Sequence, residues 1–289
     1  MKTETTFEAM KRAHRQRQIT TSVVTHSFMI LLSVIFLLPI FWMFSTAIKS
    51  RWDIFLWPPV LFPEVPQWVN FRDVFTRVPM LRFIGNTFYL IVLKTIGELL
   101  AVPLIAYGFA RLKFPGKGIF FMLVISTMMI PLQTKLIPLY SMYVKAGMID
   151  TYWPLVLPAF SGTPFFIFLL IQYMKTMPRD LDDAAKIDGV GTFGILYRIL
   201  LPLCIPALTI IVTYTFLWTW NEFLQPLIYL NSYEKFTIQM GLEMFKGIWS
   251  VEWNLLMAAT LSTMTPVLVM YFFAQKHLIG GIASVGMKG

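Results

Sequence analysis

The fold class this sequence predicts is an all-α integral membrane protein. Six transmembrane helices are expected, with a short cytoplasmic helix–turn–helix between helices 4 and 5. Hydrophobic residues make up 57% of the 289 and charged residues only 13%, against roughly 45–50% and 25% in a soluble domain. Mean hydropathy is +0.66. The apolar residues also fall in runs of about 20, long enough at 1.5 Å per residue to cross a hydrocarbon core of about 30 Å. The formal net charge of +9 forms no continuous stripe of the kind that binds nucleic acid. Its basic residues sit in short clusters between apolar runs, the pattern that orients a membrane protein.

The first span lies in a stretch without charge between Arg17 and Lys49, densest in apolar residues from Val23 to Phe44. Its apolar stretch is longer than the 7–15 residues of a signal-peptide core, so the helix is expected to be retained. Phe83 to Ala110 supplies a second span, interrupted by Lys94 and Glu98. Gly118 to Tyr140 supplies the third, with Lys135 near its far end, and Tyr152 to Met174 the fourth, without charge. The fifth is expected from Ile205 to Leu230 and carries Glu222; the sixth, Leu255 to Gln275, is charge-free. Six spans put both termini on one side. Lys and Arg are more numerous in the segments sharing the N-terminal side, which places both termini in the cytoplasm. The connection rich in Pro58, Pro59, Pro63 and Pro66 is then extracytoplasmic, with Trp52, Trp57 and Trp68 as interfacial anchors. Pro39, Pro103, Pro131, Pro154, Pro158, Pro164, Pro206 and Pro266 lie within the predicted spans and predict kinked helices.

The segment between the fourth and fifth spans, Met174 to Pro206, is the most informative. Pro178 and Asp180 signal a helix start, and Leu181–Asp188 reads as a short helix with acidic residues in its first turn, where the macrodipole favours them. Gly189 and Gly191 permit a sharp turn. Phe193, Leu196, Ile199 and Leu200 then recur at helical spacing, predicting a second short helix from Phe193 to Leu201. Ala184, Ala185 and Gly189 are small enough to let another backbone approach.

Asp183-Ala184-Ala185, then Gly189, Ile199 and Leu201-Pro202 resemble the EAA loop of binding-protein-dependent ABC importer permeases, with Asp183 where the family usually has Glu. Ala110-Arg111 followed by Phe114-Pro115-Gly116-Lys117 is similar to the family's loop between the second and third spans. Trp220-Asn221-Glu222-Phe223-Leu224 resembles a signature of the carbohydrate-uptake branch. The ending, Gly281 and Gly286-Met287-Lys288-Gly289, is similar to the tail of the maltose-type second permease.

The resemblance implies a sugar-translocating permease subunit in a prokaryotic cytoplasmic membrane, working by alternating access. Residues 1–20 form a basic cytoplasmic tail, 21–48 the first transmembrane helix and 49–82 an extracytoplasmic connection. Residues 83–276 form the permease transmembrane domain and 277–289 a cytoplasmic tail. The implied partners are a homologous permease, two ABC ATPase subunits, an extracytoplasmic solute-binding protein and membrane lipid, with no nucleic acid. ATP and Mg would be held by the ATPases and no cofactor by this chain. Coupling to the ATPases is implied for Asp183, Ala184, Ala185, Gly189, Ile199, Leu201 and Pro202. In that branch Gly281, Gly286, Lys288 and Gly289 reach the ATPase interface.

Trp218, Trp220, Asn221 and Glu222 combine aromatic faces with polar groups and are candidates for the substrate pathway. Glu222 can equally serve a structural or gating role. Lys94 and Glu98, four residues apart, predict a neutralising pair facing the bundle interior. No catalytic or metal-ligating set is evident. Gly116-Lys117 has Arg111 where a P-loop needs its first glycine, and no Ser or Thr follows. Two rivals remain at this point: the same machinery with another solute, and an ion-coupled secondary transporter, which would show inverted repeats. A membrane-embedded enzyme would need clustered catalytic groups within the spans.

Overall fold

The computed structural model describes the backbone of residues 2–247 and 250–286, with side chains placed for 16 and for 18–276 apart from 248 and 249. Its helices are α1 (Lys2–Ala47), α2 (Val69–Arg77), α3 (Met80–Arg111), α4 (Lys117–Ser126), α5 (Leu132–Lys145), α6 (Trp153–Val156) and α7 (Pro164–Lys175). They continue with α8 (Asp180–Ile187), α9 (Thr192–Gly194), α10 (Leu201–Leu203), α11 (Ile205–Asn221), α12 (Leu224–Tyr229), α13 (Ile238–Glu243) and α14 (Trp253–Gly286). No strand occurs among the described residues. The expected all-helical membrane architecture is present.

Four helical segments are long and apolar enough to cross a bilayer: Gln18–Ala47, Met80–Arg111, Trp153–Lys175 and Trp253–Lys276. The third expected span is broken, and a second bend lies where the fifth was expected to begin. Lys117–Met129 and Leu132–Lys145 meet at 100°, and Thr192–Leu203 and Ile205–Asn221 at 78°. Up to six spans result if each bent pair counts as one. Pro131 stands extended at the first break, and Pro206 lies just inside the helix that follows the second. A proline suits the start of a helix because its missing N–H would be unpaired there anyway. Pro103 and Pro266, by contrast, lie within continuous helices.

By internal contacts the chain forms two compact units. One holds the chain up to Arg72 together with Glu252–Leu261. There Asn70 caps the end of α1, its Nδ2 donating to the carbonyls of Ala47 (2.8 Å) and Lys49 (3.0 Å) while its Oδ1 accepts from Asn254 Nδ2 (3.2 Å). Phe41 packs edge-on against Phe62. In the most apolar window of α1 no residue is buried, as suits a helix surrounded by lipid or by another protein. Trp52, Trp57 and Trp68 are all exposed, and the connection carrying them holds one short 3-10 turn, Asp53–Phe55.

The other unit holds Asp73–Val251 and residues from Ser262 onward. Its central element is α3, which packs against α7, α11 and the 3-10 turn Leu157–Ser161. Gly97 permits that turn to approach: a Cβ there would lie 2.9 Å from the Phe160 ring and 3.0 Å from the Ala159 backbone. Beside it, Glu98 is buried and accepts from the Thr163 amide (2.9 Å) and hydroxyl (2.5 Å). Glu98 is thus satisfied by the start of α7, and no direct ion pair with Lys94 is present among the described residues. The pairing expected one turn away is therefore absent among the described residues, and Thr163 holds Glu98 instead.

Candidate functional site: a helical hairpin at the end of α3

After α7 the chain turns at Met177 and forms α8, whose first turn carries Asp180, Asp182 and Asp183. The helix closes in a left-handed turn. Gly189 has φ +77° and its N–H donates to Lys186 O (3.0 Å), while the Val190 N–H donates to Ala185 O (2.9 Å). This pair of bonds, with Ala185 and Val190 joining the same core cluster, is the Schellman arrangement that satisfies a helix's last carbonyls. The second arm is longer than expected: α9 leads into a π-helical stretch, Ile195–Leu200, and then α10. A wider π turn inserts one extra residue, and such turns recur at functional sites. Ile195, Leu196 and Leu200 are buried here with Ala185, Cys204, Ala207 and Ile211.

The hairpin divides its residues sharply. Asp183 and Ala184 are exposed, Ala185 is buried, and Gly189 has nothing within 4 Å of where a Cβ would stand. Ala184 and Gly189 are thus the small residues left open at the surface, while Ala185 packs inward. Asp183 pairs with Lys186 of its own helix (2.8 Å), which holds its carboxyl below the usual carboxylate range. Ile187 is 86% exposed and Phe193 69% exposed. Ile199 and Leu201 are half-buried and Pro202 is exposed.

Beneath the turn lies a cleft of about 360 Å³ lined in part by Tyr107, Arg111, Asp182, Lys186 and Thr192. Asp182 is buried and places Oδ2 3.2 Å from Arg111 Nε at the end of α3. Arg111 also donates from Nη2 to Met177 O (3.2 Å). This buried pair was not among the expected site residues. An acid in a helix's first turn reads from sequence as complementing the dipole, and only the fold brings Arg111 to it.

The pathway candidates separate. Trp218 is exposed on one side and stacks on Phe166 (5.1 Å between centroids, 16°). Trp220 is 3% exposed, stacked on Phe216 and edge-on to Phe88, so its ring is enclosed by its own chain. Asn221 ends α11 and donates to Leu217 O (2.8 Å). Glu222 stands in extended conformation after α11, and its Oε1 accepts the Gln225 amide (3.1 Å) in the first turn of α12. The fifth span thus ends at Asn221 rather than running to Leu230. The observed task of Glu222 is to join two helix ends, where carboxylates are favoured by the first unpaired N–H groups. In the tail, Gly281 and Gly286 lie in α14, which continues as helix to Gly286, whereas Lys288 and Gly289 lie outside the described residues.

A second polar knot joins the connection after α5 to the one after α12. Asp150 adopts φ +58° and its Oδ1 accepts from the amides of Asn231 (2.9 Å) and Ser232 (2.8 Å). Its Oδ2 accepts from the Ser232 hydroxyl and from Lys235 Nζ (2.8 Å). The Lys235 bond first, then Ser232, hold the Asp150 carboxyl far below the ordinary carboxylate range. A depressed carboxylate contributes its stability fully above its unfolded pKa of about 3.9 and loses it as pH falls toward the folded value. Asp150→Asn keeps a residue type that tolerates positive φ. It should lower stability at pH 7 by roughly 1–2 kcal/mol, the range for partly exposed charge-assisted bonds. Thermal melts in detergent should show the difference from the parent protein shrinking below about pH 4.

The fold and this hairpin define a polytopic helical membrane protein with a compact helical hairpin at the end of α3. The chain belongs to the family of binding-protein-dependent transport system inner membrane components, whose pattern matches residues 99–282. It is thus an inner-membrane permease of an ABC import system, and a stand-alone ion-coupled carrier no longer describes it. The arabinooligosaccharides transport system permease protein AraQ of Bacillus subtilis is 33% identical over 265 residues, covering 91% of this chain and 94% of that one. The sulfoquinovosyl glycerol transport system permease protein SmoH of Agrobacterium fabrum is 28% identical over 88% of this chain and 89% of its own. Among solved structures, a bacterial ABC transporter involved in the import of the acidic polysaccharide alginate superposes with a TM-score of 0.77. That match covers 88% of this chain and 95% of the other at 21% identity, and it supports the fold.

Proposed function

We propose that this subunit translocates a carbohydrate or related polyol derivative, with transport powered through the α8–α10 hairpin by separate ATPase subunits. The observation that carries the coupling role is the hairpin itself: a glycine-closed turn with an exposed apolar tip, seated on the end of α3. The cargo class rests on relatives named for arabinooligosaccharides, sulfoquinovosyl glycerol and diacetylchitobiose. A relative named for sn-glycerol-3-phosphate favours including polyol derivatives.

In this reading the chain pairs with a homologous permease, two ATPase subunits and an extracytoplasmic solute-binding protein. Both termini and the hairpin are cytoplasmic. Asp183, Ala184, Gly189, Ile199, Leu201 and Pro202 serve the ATPase contact, with Ala185 supporting it from within. The tail glycines Gly281, Gly286 and Gly289 with Lys288 approach the same partners. ATP hydrolysis belongs to the ATPases, and Trp218 offers the open aromatic face of the pathway candidates. Coupling requires the hairpin contacts to differ in energy between inward-open and outward-open states.

The test is purification in mild detergent followed by reconstitution. An ATPase, a second permease and a solute-binding protein should co-purify, and ligands released from the binding protein should be sugars or polyol derivatives. Transport by the purified chain alone on an ion gradient would contradict the proposal.

A further inference from the structure

Arg111 and Asp182 are far apart in sequence, yet their side chains meet at only 5% and 10% exposure. Arg111 ends α3, the helix against which α7 and α11 pack. Asp182 faces inward from the first turn of α8. The guanidinium also holds the Met177 carbonyl, so one side chain grips both the lead-in to the hairpin and its first helix. The remaining inward residue of α8 is Ala185, whose small apolar contact resists sliding weakly.

The alignment of the pair is informative. Nε and Oδ2 are 3.2 Å apart, yet neither Arg111 Nε nor Asp182 Oδ1 has a hydrogen-bond partner among the described residues. Buried polar groups normally find partners, and a buried ion pair contributes little net stability compared with apolar side chains of the same size. What such a pair does offer is a directional tie, because separating the two would leave each charge buried alone.

We propose that Arg111 and Asp182 are positioning residues that form a strut between the hairpin and α3. Displacement applied at the Gly189 turn is thereby delivered to the helical core instead of being absorbed where α8 joins α7. The inference rests on the proposed docking of the hairpin to an ATPase.

The test places spin labels at Leu181 of α8 and Leu104 of α3, both exposed, in the complex purified with its ATPase. With the strut intact, the distance between them stays narrow and unchanged when a non-hydrolysable ATP analogue is added. In Asp182→Asn, and in the doubly apolar Arg111→Met/Asp182→Leu variant, addition of the analogue should shift it by about 2–5 Å, the scale of helix shifts in coupled proteins. The doubly apolar variant leaves no charge buried alone, so it should insert normally. An unchanged, narrow distance in both variants would overturn the strut. So would failure of both to insert, which would assign the pair a folding role only. Failure of the parent hairpin to crosslink to the ATPase would instead remove the docking on which the strut depends.

Discussion

Gly189→Val is expected to reduce ATP-driven uptake by at least about tenfold while membrane insertion and yield stay near those of the parent protein. Gly189 sits at φ +77° as the residue that closes α8. An L-residue in that region costs about 1–2 kcal/mol, and for a β-branched side chain the conformation is a genuine outlier. Crowding within the chain is not the cause, because a Cβ at this position meets nothing within 4 Å. The damage is therefore confined to the turn: the bonds from Gly189 and Val190 to the last carbonyls of α8 are lost or redirected. Gly189→Asn separates two explanations. Asparagine tolerates the left-handed conformation, so uptake near normal would assign the glycine to the turn. A comparable loss would assign it to close approach by a partner. Uptake and ATP hydrolysis in proteoliposomes, with insertion followed by protease protection, provide the measurement. Normal uptake by Gly189→Val would remove the hairpin from the coupling path.

Ile187→Asp should weaken association with the ATPase by about 10–100-fold without lowering the stability of the isolated chain. Ile187 is the last residue of α8 and 86% exposed, so its own fold gains little from it. An isoleucine side chain buried at an interface contributes about 1.5–3 kcal/mol, each 1.4 kcal/mol being tenfold in affinity. Aspartate would lose that contribution, place a charge where water is excluded, and add to the negative field of Asp183 and Asp188. Ile187→Leu conserves volume and should bind nearly normally. Co-purification yield and titration of the ATPase onto nanodisc-embedded permease both report the effect. An unchanged affinity would mean the contact lies elsewhere.

The apolar runs made most of the architecture legible. A run of about 20 residues has one cheap solution in a bilayer, a helix that satisfies its own backbone, so Met80–Arg111 and Trp253–Lys276 match their expectations closely. The break at Pro131 was not legible, whereas the bend between Leu203 and Ile205 falls where the hairpin's second helix was expected to give way to the fifth span. Proline at Pro103 leaves a helix continuous while Pro131 ends one, and the difference lies in how neighbours re-satisfy the freed carbonyls. The hairpin was legible because Gly189 sits at the one place where a left-handed residue closes a helix whose first turn is acidic. The division between Ala184, outside, and Ala185, inside, was hidden because both are small and either face was possible. Asp182 was hidden for a related reason: among three acids in one turn, only the position of Arg111 selects the one that turns inward. Glu222 was legible as a charge in an apolar region, but its task at the junction of α11 and α12 depended on where α11 stops.

Contact between the hairpin turn and an ATP-hydrolysing partner is directly measurable because of Cys204. It is the chain's one cysteine and is buried, so a cysteine introduced by Ile187→Cys is the accessible thiol. In native membranes a short bifunctional reagent attached there should capture an ATPase subunit, with a yield that changes when ATP is added. Labelling of that thiol from the extracytoplasmic face by a membrane-impermeant maleimide, with no ATPase captured, would rule out a cytoplasmic hairpin that docks on the ATPase.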